Sequence, residues 1–241
     1  MAKDRKPDDG RATSGSAGLA GASRSGKGGR TRPPVNVVAP QRPWGLIAAA
    51  LAVVVFAVAV IGYAVTQVNQ ANEGKVESID EIAGITSAEY EAGQHVGTTV
   101  AYAESPPIGG EHDPVWADCT GTVYDVDIRH ENAVHSLEHG AVWITYDPDA
   151  LSDDGIATLA ALVDGESGRM LSPYAGQDSP VSLQSWGHQL KVDSVDDPRV
   201  EQFADFLTRN PDFHPEVGAT CERSDFIADP PLAGEPGTPA P

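Results

Sequence analysis

From Trp44 to Val65 the chain reads WGLIAAALAVVVFAVAVIGYAV, 22 positions without a charged residue. About 20 apolar residues cross the hydrocarbon core of a bilayer as a helix. Trp44 and Tyr63 stand near the ends, where amphipathic rings favour the interface. The stretch predicts one transmembrane helix over residues 44–65. A cleaved signal sequence is the competing reading, but its apolar region is usually shorter and no small-x-small cleavage site follows Val65.

Past the span the pattern turns polar. Residues 66–93 read as a juxtamembrane linker with short helical patches at SIDEIAGI or SAEYEAG. HVGTTVAYA then predicts a strand, ESPPIGGEHDPVWADCTG a loop, and GTVYDVDI a second strand. NAVHSLEHG follows, residues 132–140. On a helix, His135, Glu138 and His139 fall within an arc of roughly 100°, with Ala133, Val134 and Leu137 turned away from it. Gly140 comes where a helix commonly stops. AVWITY is apolar at nearly every position, which predicts a strand buried on both faces. Ser152 can cap a helix over Asp153–Val163, and Asp197 before Pro198 starts another with Val200, Phe203, Phe206 and Leu207 on one face. RMLSPY, VSLQSW and HQLKVDSV read as strands between these helices. The predicted architecture is α+β: a single small mixed-sheet domain, residues 94–226, behind one N-terminal transmembrane helix. The Pro- and Gly-rich residues 227–241 read as an unfolded tail.

Charge adds an orientation. Residues 1–43 hold nine Lys or Arg against three Asp, a net +6, so the chain total of −19 leaves −25 for the remainder. The tail has no apolar period and reads as disordered. The positive-inside rule puts it in the cytoplasm, near anionic lipid, and the folded domain outside. An acidic outer domain argues against nucleic acid as a partner there. No P-loop, dinucleotide fingerprint or G-x-S-x-G occurs.

Two cysteines, Cys119 and Cys221, outside the cytoplasm read as one disulfide. The alternative makes Cys119 a metal ligand beside His112. Of the seven histidines, four lie between residues 112 and 139. H-x-x-E-H, His135 to His139, matches an inverted zinc-peptidase motif, with two imidazole ligands and a glutamate base. That reading still needs a third ligand; no downstream glutamate stands out for it, and Glu201 is a bare candidate. A metal site without catalysis asks less: His112, from its loop, closes over His135 and His139, and Glu138 sits at the rim or behind the ligands. Three imidazoles suit zinc or copper(II). The bland reading is that these histidines only hydrogen-bond in a partly buried network.

SPPIGGEHDPVWADCTGTVYD, ENAVHSLEHGAVWITYDP and SPYAGQDSPVSLQSWGHQLKVDSVDDPRVEQF together resemble domain-of-unknown-function family 3105, over most of residues 75–225. The resemblance implies a bacterial, often actinobacterial, membrane-anchored extracytoplasmic protein. It implies no established activity. The family signature includes the positions of His112, Cys119, His135, Glu138 and His139. The function classes left are a membrane-anchored binding or accessory protein with an envelope protein as partner, and an extracytoplasmic metal-dependent hydrolase.

Overall fold

The computed structural model describes residues 40–72 and 74–238. The expected basic tail, residues 1–43, lies outside the described residues except for its last four. The chain divides into two units, one ending at Ala57 and one starting at Val58. The division falls within helix α1, Trp44–Asn72, which runs past Val65 because neither glycine nor proline interrupts TQVNQAN. Trp44–Asn69 is long and apolar enough to cross a membrane, with mean hydropathy 2.8 and none of it buried in protein. A helix that is apolar all round and unburied by its own chain could anchor in a membrane.

The second unit is built on one six-stranded mixed sheet in the order β1-β6-β5-β3-β4-β2. The strands are β1 Thr86–Ser87, β2 Thr120–Val123, β3 Val142–Tyr146, β4 Arg169–Pro173, β5 Val181–Ser185 and β6 His188–Val192. β3 sits centrally, parallel to β4 and antiparallel to β5, and every residue of it is buried. Its alternation explains the unbroken apolar run. Val142, Ile144 and Tyr146 face one core with Leu159 and Val163 of α3 (Asp153–Val163) and Val200, Phe203 and Leu207 of α4 (Pro198–Leu207). Trp143 faces a second core with Ala133, Val134 and Leu137 of α2 (His130–Glu138) and the two cysteines. A five-residue helix α5, Ser224–Ala228, adds Phe226 to that second core.

Local chemistry sets the helix ends. Ser152 Oγ accepts from the Gly155 amide, and Asp197 accepts from the Arg199 amide. α2 ends in a paired closure: the Gly140 amide donates to Leu137 O and the Ala141 amide to Ser136 O, at 2.9 and 3.0 Å. Gly140 has φ 89°, and a Cβ there would lie 2.7 Å from the His214 ring, so both conformation and space require glycine.

Three expectations change. HVGTTVAYA is not a strand; only His95 bridges, to His112. Its backbone groups go to buried charges instead: the Val100 amide to Glu131 Oε1 at 2.8 Å, and Thr98 O from Arg129 Nη2 at 3.2 Å. Residues 66–93 are more than a linker: Ile82 is buried in the first core, and β1 pairs with β6. Residues 227–238 are tied down by backbone hydrogen bonds although most of them are exposed. Arg129 donates from N to Pro231 O and from Nε to Glu235 O, and the Thr238 amide donates to Asp113 Oδ2. At Gly237 a Cβ would come within 2.5 Å of both Arg129 Nη2 and Asp113 Oδ2, so the strap closes only over a bare backbone.

Cys119 and Cys221 are bridged, with Cα atoms 4.7 Å apart. Asp118 reinforces that junction. Its Oδ1 accepts from Thr120 N, Thr120 Oγ1 and Thr122 Oγ1, and its Oδ2 from the Arg223 amide at 2.6 Å. Burial pushes the Asp118 carboxyl up, but these hydrogen bonds outweigh it and hold it below the ordinary value. A depressed carboxyl contributes stability above its unfolded value of about 3.9, lost as pH falls through the lower folded value. The gap in urea midpoint between the native chain and Asp118→Asn is therefore expected to be full at pH 7 and to narrow in strong acid. A gap independent of pH would remove Asp118 from the acid-sensitive set.

Candidate metal centre

The polar face of α2 is covered by the loop that precedes β2. Asn132 Nδ2 donates to Val115 O at 2.6 Å, Ser136 Oγ to Ala117 O at 2.7 Å, and the Ala117 amide to Asn132 O at 3.0 Å. Beneath this lacing lie His112, His135 and Glu138. His112 and Glu138 are wholly buried, and His135 is 4% exposed. The loop that carries His112 is fixed, chiefly by Arg129. Its guanidinium, itself buried, meets Asp113 Oδ2 at 2.7 Å and Glu131 Oε2 at 3.3 Å.

The donors fall into two groups. His95, His112, His135 and Glu138 each place one donor atom within 4.8 Å of the others, and so do His135, His139 and Glu216. Ring centroids are 4.9 Å apart for each pair among His95, His112 and His135, and 4.6 Å for His135 and His139.

Protons decide which atoms can bind a cation. His112 Nδ1 lies 2.7 Å from Gly110 O, His135 Nδ1 2.6 Å from Asp113 O, and His139 Nδ1 2.8 Å from Thr220 O. A carbonyl oxygen can only accept, so each Nδ1 carries the proton and each Nε2 is left as the lone-pair atom. This is how metal-ligating imidazoles are usually oriented. His112 Nε2 then faces Glu138 Oε2 at 2.8 Å, both buried and both without a hydrogen-bond partner. Two acceptors that close repel unless a cation sits with them, either a second proton on His112 or a metal ion. The other carboxylate oxygen, Oε1, is spoken for by the Gly93 amide at 2.6 Å.

Electrostatics favours neutral His135 and His139 and a charged Glu138. Burial pulls His135 down to about 3, helped by the neighbouring imidazoles and opposed by the Asp113 carbonyl. Burial likewise lowers His139. Burial raises the Glu138 carboxyl, but the His112 contact and the Gly93 amide pull it below its ordinary value overall. At neutral pH the His135 lone pair is thus free without a proton to displace.

Of the residues singled out in the sequence, His112 and His135 come together. Glu138 lies among the donors rather than at a rim, and His139 belongs to the adjoining group. Cys119 is in the disulfide and offers no thiolate. His95 and Glu216 were not anticipated. His95 is placed by backbone pairing, Val96 N to His112 O at 2.7 Å and His112 N to Gln94 O at 3.0 Å, which no local pattern announces. Glu216 reaches His139 Nε2 at 3.2 Å from a turn-rich segment with no periodic signal. Glu201 lies on α4, in neither group.

No curated protein and no solved structure matches the chain. A family profile described as "Protein of unknown function (DUF3105)" matches residues 94–223, more than half of the sequence. The match takes in both donor groups and both cysteines, and the chain belongs to the DUF3105 family.

Proposed function

We propose that this protein is a membrane-anchored extracytoplasmic metal-binding protein, holding one zinc or copper(II) ion through His95, His112, His135 and Glu138. The observation that carries the reading is the buried pair His112 Nε2 and Glu138 Oε2, two acceptors face to face beside the free Nε2 of His135. The anchor rests on α1, the outer location on the positive tail ahead of it and on the disulfide. Bonds of about 2.0–2.1 Å in a tetrahedron put donor atoms about 3.4 Å apart. The donor atoms lie within 4.8 Å of one another, so an ion would draw the outer ones in and part His112 Nε2 from Glu138 Oε2, now 2.8 Å apart. Three imidazoles and one carboxylate fill a tetrahedral ion, which suits binding or delivery to an envelope partner more than catalysis.

A hydrolase through H-x-x-E-H is the second reading. Glu216 supplies the third ligand it lacked in sequence, beside His135 and His139. Against it, the expected base Glu138 is wholly buried, with its oxygens on Gly93 and His112 rather than on that group.

The test uses the full-length chain in detergent, stripped of metal and titrated with zinc and with copper(II). One ion per chain is expected. At a hundred times Kd it should stabilise the domain by about 2.7 kcal/mol, a rise of roughly 5–10 °C in Tm. His112→Ala and Glu138→Gln should each abolish both effects. A native chain that retains neither ion and melts at the same temperature in its presence would leave an imidazolium–carboxylate pair and no metal site.

A further inference from the structure

We infer that His139 and Glu216 form a transfer station through which the ion enters and leaves the inner set, handed over by His135. The inference rests on the metal reading above and adds a route to it. His135 belongs to both donor groups but has a single free lone pair, since its Nδ1 is bound to Asp113 O. It cannot bridge two ions. The groups are therefore alternative positions for one ion, not two independent sites. His139 is oriented by the same device as the inner imidazoles, Nδ1–H on the Thr220 carbonyl, which aims Nε2 at Glu216. On this side exposure falls inward, from 42% for the Glu216 side chain to 4% for His139 and nil for His112 and Glu138, while His95, 35% exposed, gives the inner set a second opening to solvent. Trp116 packs against both His135 and His139, with centroids 5.7 and 5.0 Å away, and walls the passage.

The step is a ligand exchange with no redox change. Bonds from the ion to Glu216 and His139 break as bonds to His112, Glu138 and His95 form, while His135 Nε2 stays bound. Each position supplies one carboxylate, so the charge around the ion is the same at both. The inner position offers four donors against three, so the ion rests inside at equilibrium.

The test is stopped-flow loading of the metal-free full-length chain with cobalt(II), followed by its visible absorption, and removal by excess chelator. Glu216→Gln and His139→Gln are compared with the native chain. Both variants are expected to bind one ion with unchanged equilibrium affinity. Loading and release should slow together by the same factor, about tenfold or more. His139→Gln removes the imidazole donor and leaves the Glu216 carboxylate in place, so its slowing separates a station from simple attraction by that carboxylate. Native rates in both variants, slow loading in Glu216→Gln alone, or two ions bound at once per native chain would each overturn the route. A native chain that binds no cobalt or zinc overturns the site itself, an outcome distinct from unchanged rates.

Discussion

Replacing Cys119 and Cys221 together by alanine is expected to lower the stability of the folded domain by about 4.7 kcal/mol, the chain-entropy value for a loop of about 100 residues. The bridge closes a sequence separation of 102. Against a typical total of about 5–15 kcal/mol the loss is large. It should appear as a fall of roughly 10–20 °C in Tm for the full-length chain. The effect concerns the unfolded ensemble first. In the folded state the same two segments are also joined by Cys119 N to Cys221 O at 3.1 Å and by the Asp118–Arg223 contact, so the variant should keep its native contacts while melting earlier. A variant melting within about 2 °C of the native chain would show that those contacts alone hold the junction.

Arg129→Met is expected to cost about 3–5 kcal/mol, because it strands two buried carboxylates, Asp113 and Glu131, without their cation. The metal centre should suffer with the fold. The Asp113 carbonyl fixes the tautomer of His135, and the same loop carries His112. Adding Asp113→Asn and Glu131→Gln should recover part of the loss, since neutral groups tolerate burial better than unpaired charges. The measurement is thermal melting with and without zinc. An Arg129→Met chain as stable as the native one would mean that water already reaches the cluster.

The parts of the fold written in local chemistry were readable in advance. α3 begins at the residue after Ser152 and α4 at Pro198 after Asp197, because a cap and its first turn are neighbours in sequence. β3 was readable because a strand between two cores must be apolar on both faces. His135 and Glu138 were readable as a pair because three residues is nearly one turn. His95 was not, since its place is set by pairing with His112 across a loop. Neither was Glu216, whose meeting with His139 depends on how the chain returns after α4. HVGTTVAYA misled for a related reason. Its composition favours a strand, but buried Arg129 and Glu131 compete for its backbone groups. Nor could composition show that the Pro- and Gly-rich end straps down over Arg129, because low side-chain content argues for disorder unless a buried charge needs those carbonyls.

The short strand β1 has a practical meaning. β6 is paired with β5 on one side and on the other only with Thr86 and Ser87, extended by the Ala88 amide on Gly187 O. The family match starts at residue 94, after that strand. A fragment trimmed to the match would bare the outer backbone of His188 and Gln189, and open sheet edges recruit further chains. Two residues just ahead of the family boundary thus act as a guard against self-association. A soluble fragment that keeps them, and Ile82 with them, must begin before Ile82.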